Sequence, residues 1–288
     1  MNTFRKDVSD DNVLSVTFEN VGPGWEQHVL ITSDRHWDSG KSDRAMQKRH
    51  LERALEHDAL IIDLGDLFDA MQTRNDRRGS KSAVLDELNS SNYLNELVEQ
   101  ATEWFKPYVK NWLMMGTGNH ETAIVRHNEF NLTKQLAWNL NREGGDIFLG
   151  NYTNYIKFQF LRRARTYVPS YNVWYHHGYG GNAPRSKGVL AVDLRAAEHP
   201  DADLLIAGHT HQTWMVPKVR NRLTQQGRVY QQKQMHVQVP SYKGGVAKDG
   251  FEAEKGFSPT LQGAIWWRMY YRREGNDERI LHEFTWVE

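Results

Sequence analysis

Not one of the 288 residues is cysteine. That excludes disulfides and thiolate-bound zinc, and it leaves any metal to histidine, carboxylate and amide ligands. Net charge is missing too, because Lys plus Arg and Asp plus Glu both total 36. With no global field to gather a polyanion, anion binding has to be local. No apolar run is long enough to cross a bilayer, so no membrane partner is expected. The opening residues Met1 to Asn12 carry charge without the apolar stretch of a secretory leader, and a cytoplasmic location is the expectation. Repeats and low-complexity tracts are absent as well. What is present is ordinary for one folded domain over 1–288: 39% apolar and 25% charged residues, with His at 13 positions.

Short apolar runs alternate with segments of helical spacing. Val29 to Ser33, Leu60 to Leu64, Trp112 to Gly116, Val173 to His176 and Leu204 to Ala207 each run into a Gly-, Asp-, Asn- or His-rich turn, as buried strands do. Ser42 to His57, parts of Ala83 to Phe105, Glu129 to Leu140 and Ser186 to Glu198 have the spacing of amphipathic helices. The alternation predicts βαβ units and a largely parallel sheet covered on both faces. Towards the C-terminus, Met235 to Val239, Gly263 to Tyr271 and Ile280 to Val287 read as strands that pair antiparallel. An α/β sandwich of two mixed sheets flanked by helices accommodates both halves, with Val13 to Phe18 joining at a sheet edge.

Polar motifs follow these strands, where loops of α/β sheets gather reactive groups. Asp34 and His36 come after the first run, and two residues apart in an extended segment they would point the same way. Gly65-Asp66-Leu67-Phe68-Asp69 follows the second, with Asp66 able to bridge two cations. Gly118-Asn119-His120-Glu121 follows the third, His176-His177-Gly178 the fourth, and Gly208-His209-Thr210-His211 the fifth. Each motif alone is weak, but five at one sheet edge amount to a dinuclear metal site. His28, His50, His57, His127, His199, His236 and His282 lie outside the motifs and read as surface or core residues. Asp38 and Asp69 are near enough to support the ligands from behind, but a helix-start or loop role is the more common one and they are assigned no chemistry.

This ordered set resembles the calcineurin-like metallophosphoesterase superfamily, whose pattern is Asp-x-His, Gly-Asp, Gly-Asn-His-Glu/Asp, a later His, and Gly-His-x-His. The resemblance runs from about Asp34 to His211. It implies two divalent metal ions, Mn(II) first, with Fe or Zn as alternatives. One would take Asp34, His36, Asp66 and His211, and the other Asp66, Asn119, His177 and His209; His176 is the alternative to His177. His120 resembles the family's general acid, with Glu121 holding its imidazole in the useful tautomer. The chemistry implied is hydrolysis of a phosphodiester by water activated between the two cations.

Thr32-Ser33-Asp34-Arg35-His36 and Gly65 to Asp69 look like the branch containing DNA-repair exonucleases, so DNA or RNA is the expected substrate. Arg74, Arg77 and Arg78, with Arg185 and Lys187, are the candidate backbone contacts, against the plainer reading of solvated loops. Trp174, Tyr175, Tyr179, Trp214 and Tyr242 could stack a base, although core packing is the more common use of such residues. A phosphomonoesterase or cyclic-nucleotide phosphodiesterase would need the same metals and a different pocket wall. A non-catalytic metal-binding scaffold is the third reading, opposed by the complete ligand set. Protein partners and oligomeric state have no signature in the sequence.

Overall fold

The computed structural model describes residues 2–70, 92–162, 166–180, 186–244, 260–275 and 277–288. Its framework is two mixed sheets packed face to face. The first is built on β3 (Glu26–Thr32), β4 (Leu60–Asp63), β5 (Trp112–Met115) and β6 (Phe148–Leu149), all parallel. The hairpin of β12 (Ala264–Glu274) and β13 (Asp277–Val287) adds antiparallel to β3, giving the order β13-β12-β3-β4-β5-β6. The second sheet contains β1 (Phe4–Asp10), β2 (Val13–Val21), β7 (Thr153–Arg162), β8 (Tyr167–His176), β9 (Leu204–Ala207), β10 (Trp214–Leu223) and β11 (Val229–Gln238). Their order is β1-β2-β7-β8-β9-β11-β10.

Strand periodicity divides the apolar residues between two cores. In β3 and β4, Val29, Ile31, Leu60 and Ile62 face the second sheet and meet Phe158, Val173, Leu204 and Ile206. Leu30 and Ile61 point the other way, to the helices. Both faces are therefore covered, which is why these strands read as continuous apolar runs rather than as alternations. The helices on the outer face are α1 (Arg44–Glu56), α2 (Tyr93–Phe105) and α4 (Leu132–Arg142). They bury Leu51, Leu97, Ala101, Leu136 and Leu140 against Trp37, Trp112 and Trp266. Trp266 and Trp267 occupy opposite cores, as neighbours in a strand must.

The fold corrects several boundaries. The expected helix Glu129 to Leu140 is α4, which starts only at Leu132, and it is preceded by a helix that was not expected, α3 (Asn119–Asn128), which ends at Glu129 with φ 55°. Ser186 to Glu198 narrows to α5 (Ala191–Glu198), because residues 186–190 form turns. Val13 to Phe18 is not an edge strand: β2 lies between β1 and β7. Of Ala83 to Phe105, α2 takes Tyr93 onward, and 83–91 lie outside the described residues. Strands β1, β7 and β10 carry no strong apolar run, since half of each faces solvent or a polar layer.

Candidate metal centre

The C-terminal ends of β3, β4, β5, β8 and β9 converge at one edge between the two sheets, and each delivers a polar motif there. The loop backbone is sharply turned. Asp34, His36, Asp66, His209 and His211 all have positive φ, between 43° and 71°. Non-glycine residues adopt this left-handed region at a cost that surrounding structure must offset, and such positions concentrate at functional sites. Asp34 and His36 therefore do converge, but through two left-handed turns and not by the alternation of an extended strand.

Close approach depends on glycines. A Cβ on Gly208 would stand 1.9 Å from Ser33 Oγ and 2.7 Å from Asp34 Oδ2. A Cβ on Gly118 would meet Asp66 Oδ1 at 2.1 Å. With only hydrogen there, His209 N–H donates to Asp34 Oδ2 at 2.7 Å and His120 N–H to Asp66 Oδ1 at 2.9 Å. The first turn of α3 thus aims backbone donors at the Asp66 carboxylate.

Ring nitrogens and carboxylate oxygens then face one another. Asp34 Oδ1 lies 3.4 Å from His211 Nε2 and 4.0 Å from His36 Nε2, and the two imidazoles are 3.3 Å apart at those nitrogens. On the other side, Asp66 Oδ2 is 3.3 Å from His177 Nε2, which is 3.1 Å from Asn119 Oδ1. His209 Nδ1 is 2.7 Å from the same amide oxygen. Three overlapping groups have ligand atoms within 4.8 Å of one another: Asp34-His36-His211, His36-Asp66-His120 and Asp66-His177-His209.

The outward nitrogens settle what the inward ones present. His36 Nδ1 is 2.9 Å from Asp69 Oδ1, His177 Nδ1 is 3.1 Å from the Leu64 carbonyl, and His209 Nε2 is 3.1 Å from the Gly180 carbonyl. Donation to the Leu64 and Gly180 carbonyls requires the proton on His177 Nδ1 and His209 Nε2, and in a neutral ring the opposite nitrogen then turns a lone pair inward; His36 Nδ1 makes an ion-pair contact with Asp69. Lone pairs of imidazole, carboxylate and amide at about 3 Å repel unless a positive charge sits among them. The buried Asp34 Oδ1 accepts no hydrogen bond at all. A set of borderline nitrogen and hard oxygen donors held in this way fits divalent cations.

Electrostatics agrees. Burial works against the charged forms of Asp34 and Asp66, yet neighbouring imidazoles hold both carboxyls well below the usual range. Burial also opposes charge on His177, but Asp66, Asp34 and Glu121 push it up to about 10, so that without a cation its inward nitrogen holds a proton, which a cation would have to displace. The potential at the centre favours positive charge. His36, where burial and then Lys243 outweigh Asp69, falls to about 4 and stays neutral as a ligand requires.

His177 and not His176 reaches the cluster. The His176 ring packs against Tyr152 and Trp174 and accepts from the Gly178 N–H at 2.9 Å. His120 lies on the rim, Nε2 3.8 Å from Asp66 Oδ2, with Nδ1 donating to the Asp69 carbonyl at 2.6 Å. Glu121 does not hold that imidazole. Its carboxylate accepts the N–H groups of Asp66 (3.0 Å), Phe68 (3.0 Å) and Gly118 (2.9 Å), tying the β4 loop to the start of α3. Burial, then Asp66, raises its pKa to about 7.

Several residues at the centre carry no signal in the motifs. Asp69 and Asp38 start no helix; the N-cap of α1 is Asp43. Asp69 holds His36 and His120 and pairs with Lys243 at 2.6 Å. Asp38 accepts the N–H groups of Asp69 and Ala70 and the Tyr93 hydroxyl, at 2.6 to 2.9 Å. Arg35, fully buried, bonds Asp63 at 2.9 Å and lies over Trp112 and Tyr242 at 5.4 and 5.1 Å, anchoring the backbone between Asp34 and His36. Two aspartates on successive β-strand loops, one of them two residues after the Asp-x-His pair, were the readable hint. Arg74, Arg77, Arg78 and Arg185 lie outside the described residues. Lys187 is half-buried, and its carbonyl accepts the Trp214 indole N–H at 2.8 Å.

No described helix is long and apolar enough to span a membrane. A comparison with curated proteins found no match. Among solved structures, Vps29 from Cryptosporidium parvum is similar at 13% identity and TM-score 0.37, over 91% of this chain and 100% of that one. Vps29 from Entamoeba histolytica, solved with Zn2+, is similar at 10% identity and TM-score 0.36, over 90% and 99%. GAP50 of Plasmodium, an inner-membrane-complex anchor, is similar at 11% identity and TM-score 0.42, over 91% and 84%. The calcineurin-like phosphoesterase model matches residues 27–213, which contain every motif and more than half the chain. This chain belongs to the calcineurin-like phosphoesterase family, a membership that suggests metal-dependent hydrolysis of a phosphoester.

Proposed function

We propose that this chain is a phosphodiesterase working with two divalent cations, Mn(II) first, and that a nucleic acid is its substrate. One observation carries the reading: the inward ring nitrogens of His36, His177 and His209 meet the oxygens of Asp34, Asp66 and Asn119 at one sheet edge. Asp34, His36, Asp66 and His211 would hold one cation, and Asp66, Asn119, His177 and His209 the other. Bound there, the cations supply an activated water and neutralise charge on the phosphoryl oxygens.

The chain's own residues do the rest. His120 stands at the rim with its outer nitrogen committed to the Asp69 carbonyl, leaving Nε2–H to protonate the departing oxygen. Burial resists the charge, but Asp66 and Asp69 raise its pKa, which favours the protonated ring. Glu121 fixes the loop that carries Asp66 rather than the acid itself. The motif style of Thr32 to His36 and Gly65 to Asp69 supports the diesterase branch over monoesterases.

The test supplies Mn(II) and compares single-stranded DNA, duplex DNA, a cyclic nucleotide and a phosphomonoester, with Asp66→Ala as the control. Cleavage of DNA that Asp66→Ala abolishes is expected. DNA left intact while the monoester is hydrolysed would reject the substrate assignment.

A further inference from the structure

Five aromatic side chains lie near the centre in sequence, and the fold separates their roles. Trp174, Tyr175 and Tyr242 are buried. The Trp214 indole N–H is committed to the Lys187 carbonyl. Tyr179 alone among them is exposed, at 52%.

In the chain Tyr179 is flanked by residues that reach the centre. It sits between His177, whose Nε2 points at Asp66, and Gly180, whose carbonyl accepts from His209 at 3.1 Å. The ring is also held. His176 meets it edge-on, centroids 5.4 Å apart at 84°, and the Arg195 guanidinium carbon lies 5.6 Å from its centroid.

Arg195, on α5, is only 7% exposed, and no carboxylate pairs with it among the described residues. Its Nε has no hydrogen-bond partner. A buried cation with no counter-ion is costly, and an aromatic face is one of the few surfaces that compensate it. Tyr179 is thus contacted by two groups while about half of the residue stays exposed. A surface tyrosine with no task has no need of such bracing; a ring that must receive a flat ligand does.

We propose that Tyr179 is a stacking platform for a planar aromatic group attached to the phosphoester, a nucleobase in particular, with Arg195 as the residue that positions its ring. This rests on the phosphodiesterase reading for its substrate. It assigns sequence-tolerant affinity to stacking, since every base offers a flat face, and so accounts for polynucleotide binding by a chain of zero net charge.

The experiment titrates thymidine 5′-monophosphate and ethyl phosphate into the Mn(II)-loaded full chain by calorimetry, for wild type, Tyr179→Ala, Tyr179→Leu and Tyr179→Phe. Wild type should bind the nucleotide on the order of 10-fold more tightly than ethyl phosphate. The preference should fall to within about 2-fold in the Ala and Leu variants and persist in the Phe variant. Equal affinities in wild type, or an unchanged preference in Tyr179→Ala, would overturn the platform; equal loss of both ligands in that variant shows a structural role and overturns it too. Base preference in a chain that cleaves no phosphodiester would keep the platform and reject the phosphodiesterase reading. Cleavage without base preference would do the reverse.

Discussion

His36, His177 and His209 each turn one ring nitrogen to an oxygen outside the centre, which leaves the other nitrogen facing the proposed cations. Only one of those outer oxygens is a side chain. Removing it by Asp69→Ala should weaken Mn(II) binding by about 10- to 100-fold, as measured by calorimetric titration, because ring orientation is lost while the ligands remain. His120→Ala should instead lower turnover by about 100- to 10,000-fold with metal content unchanged; equal loss of both would make it a ligand. Far from the centre, His282 stacks on Tyr171 at 3.6 Å and accepts from the Trp267 indole at 3.2 Å, and burial lowers its pKa from 6.5 to about 3. A depressed folded-state pKa means the stabilisation is whole above pH 6.5 and is lost as pH falls towards 3. Denaturant titrations should show His282→Gln losing about 3 kcal/mol less stability than wild type between pH 6.5 and 4. The residues that converge at the centre were legible one by one because the motifs are short and local. Glu121 was misjudged, since being the neighbour of His120 in sequence says nothing of which N–H groups its carboxylate meets.

At the scale of elements, the site depends on how closely the β9 turn approaches the β3 turn, and Gly208 sets that distance. Gly208→Ala would drive a methyl into Ser33 Oγ and Asp34 Oδ2, separating Asp34 from the His209 N–H. Circular dichroism should show a folded chain, and hydrolysis should drop by at least about 100-fold, the scale at which small displacements of reacting groups act. Retained activity would mean that the two turns can shift without cost. Strands β3, β4, β5 and β9 were legible because burial on both faces leaves an uninterrupted apolar signature. Strands β1 and β10 were not, because edge strands mix charge into their pattern: Lys218, Arg220 and Arg222 alternate along β10. The helix that opens at Asn119 was hidden for a related reason, as its first turn is spent on ligands rather than on an apolar face.

Taken whole, the molecule is two sheets that share one core and meet their loops at one edge, so that a site from five strand ends spans both. The two-sheet arrangement follows from the apolar patterns, whereas the mutual placement of Asp34 and His209, 175 residues apart, comes from packing that no local pattern encodes. Cations that bind only the folded arrangement of all five ends, as proposed, should stabilise the whole fold: saturating Mn(II) should raise Tm by several degrees and a chelator should remove the gain. The central claim is that these ligands hold two cations with Asp66 between them. Equilibrium dialysis against Mn(II), read by elemental analysis, tests it most directly. Two Mn(II) per wild-type chain are expected, with both sites lost or severely weakened in Asp66→Ala. One ion or none in wild type, or two ions retained without the Asp66 carboxylate, would contradict it.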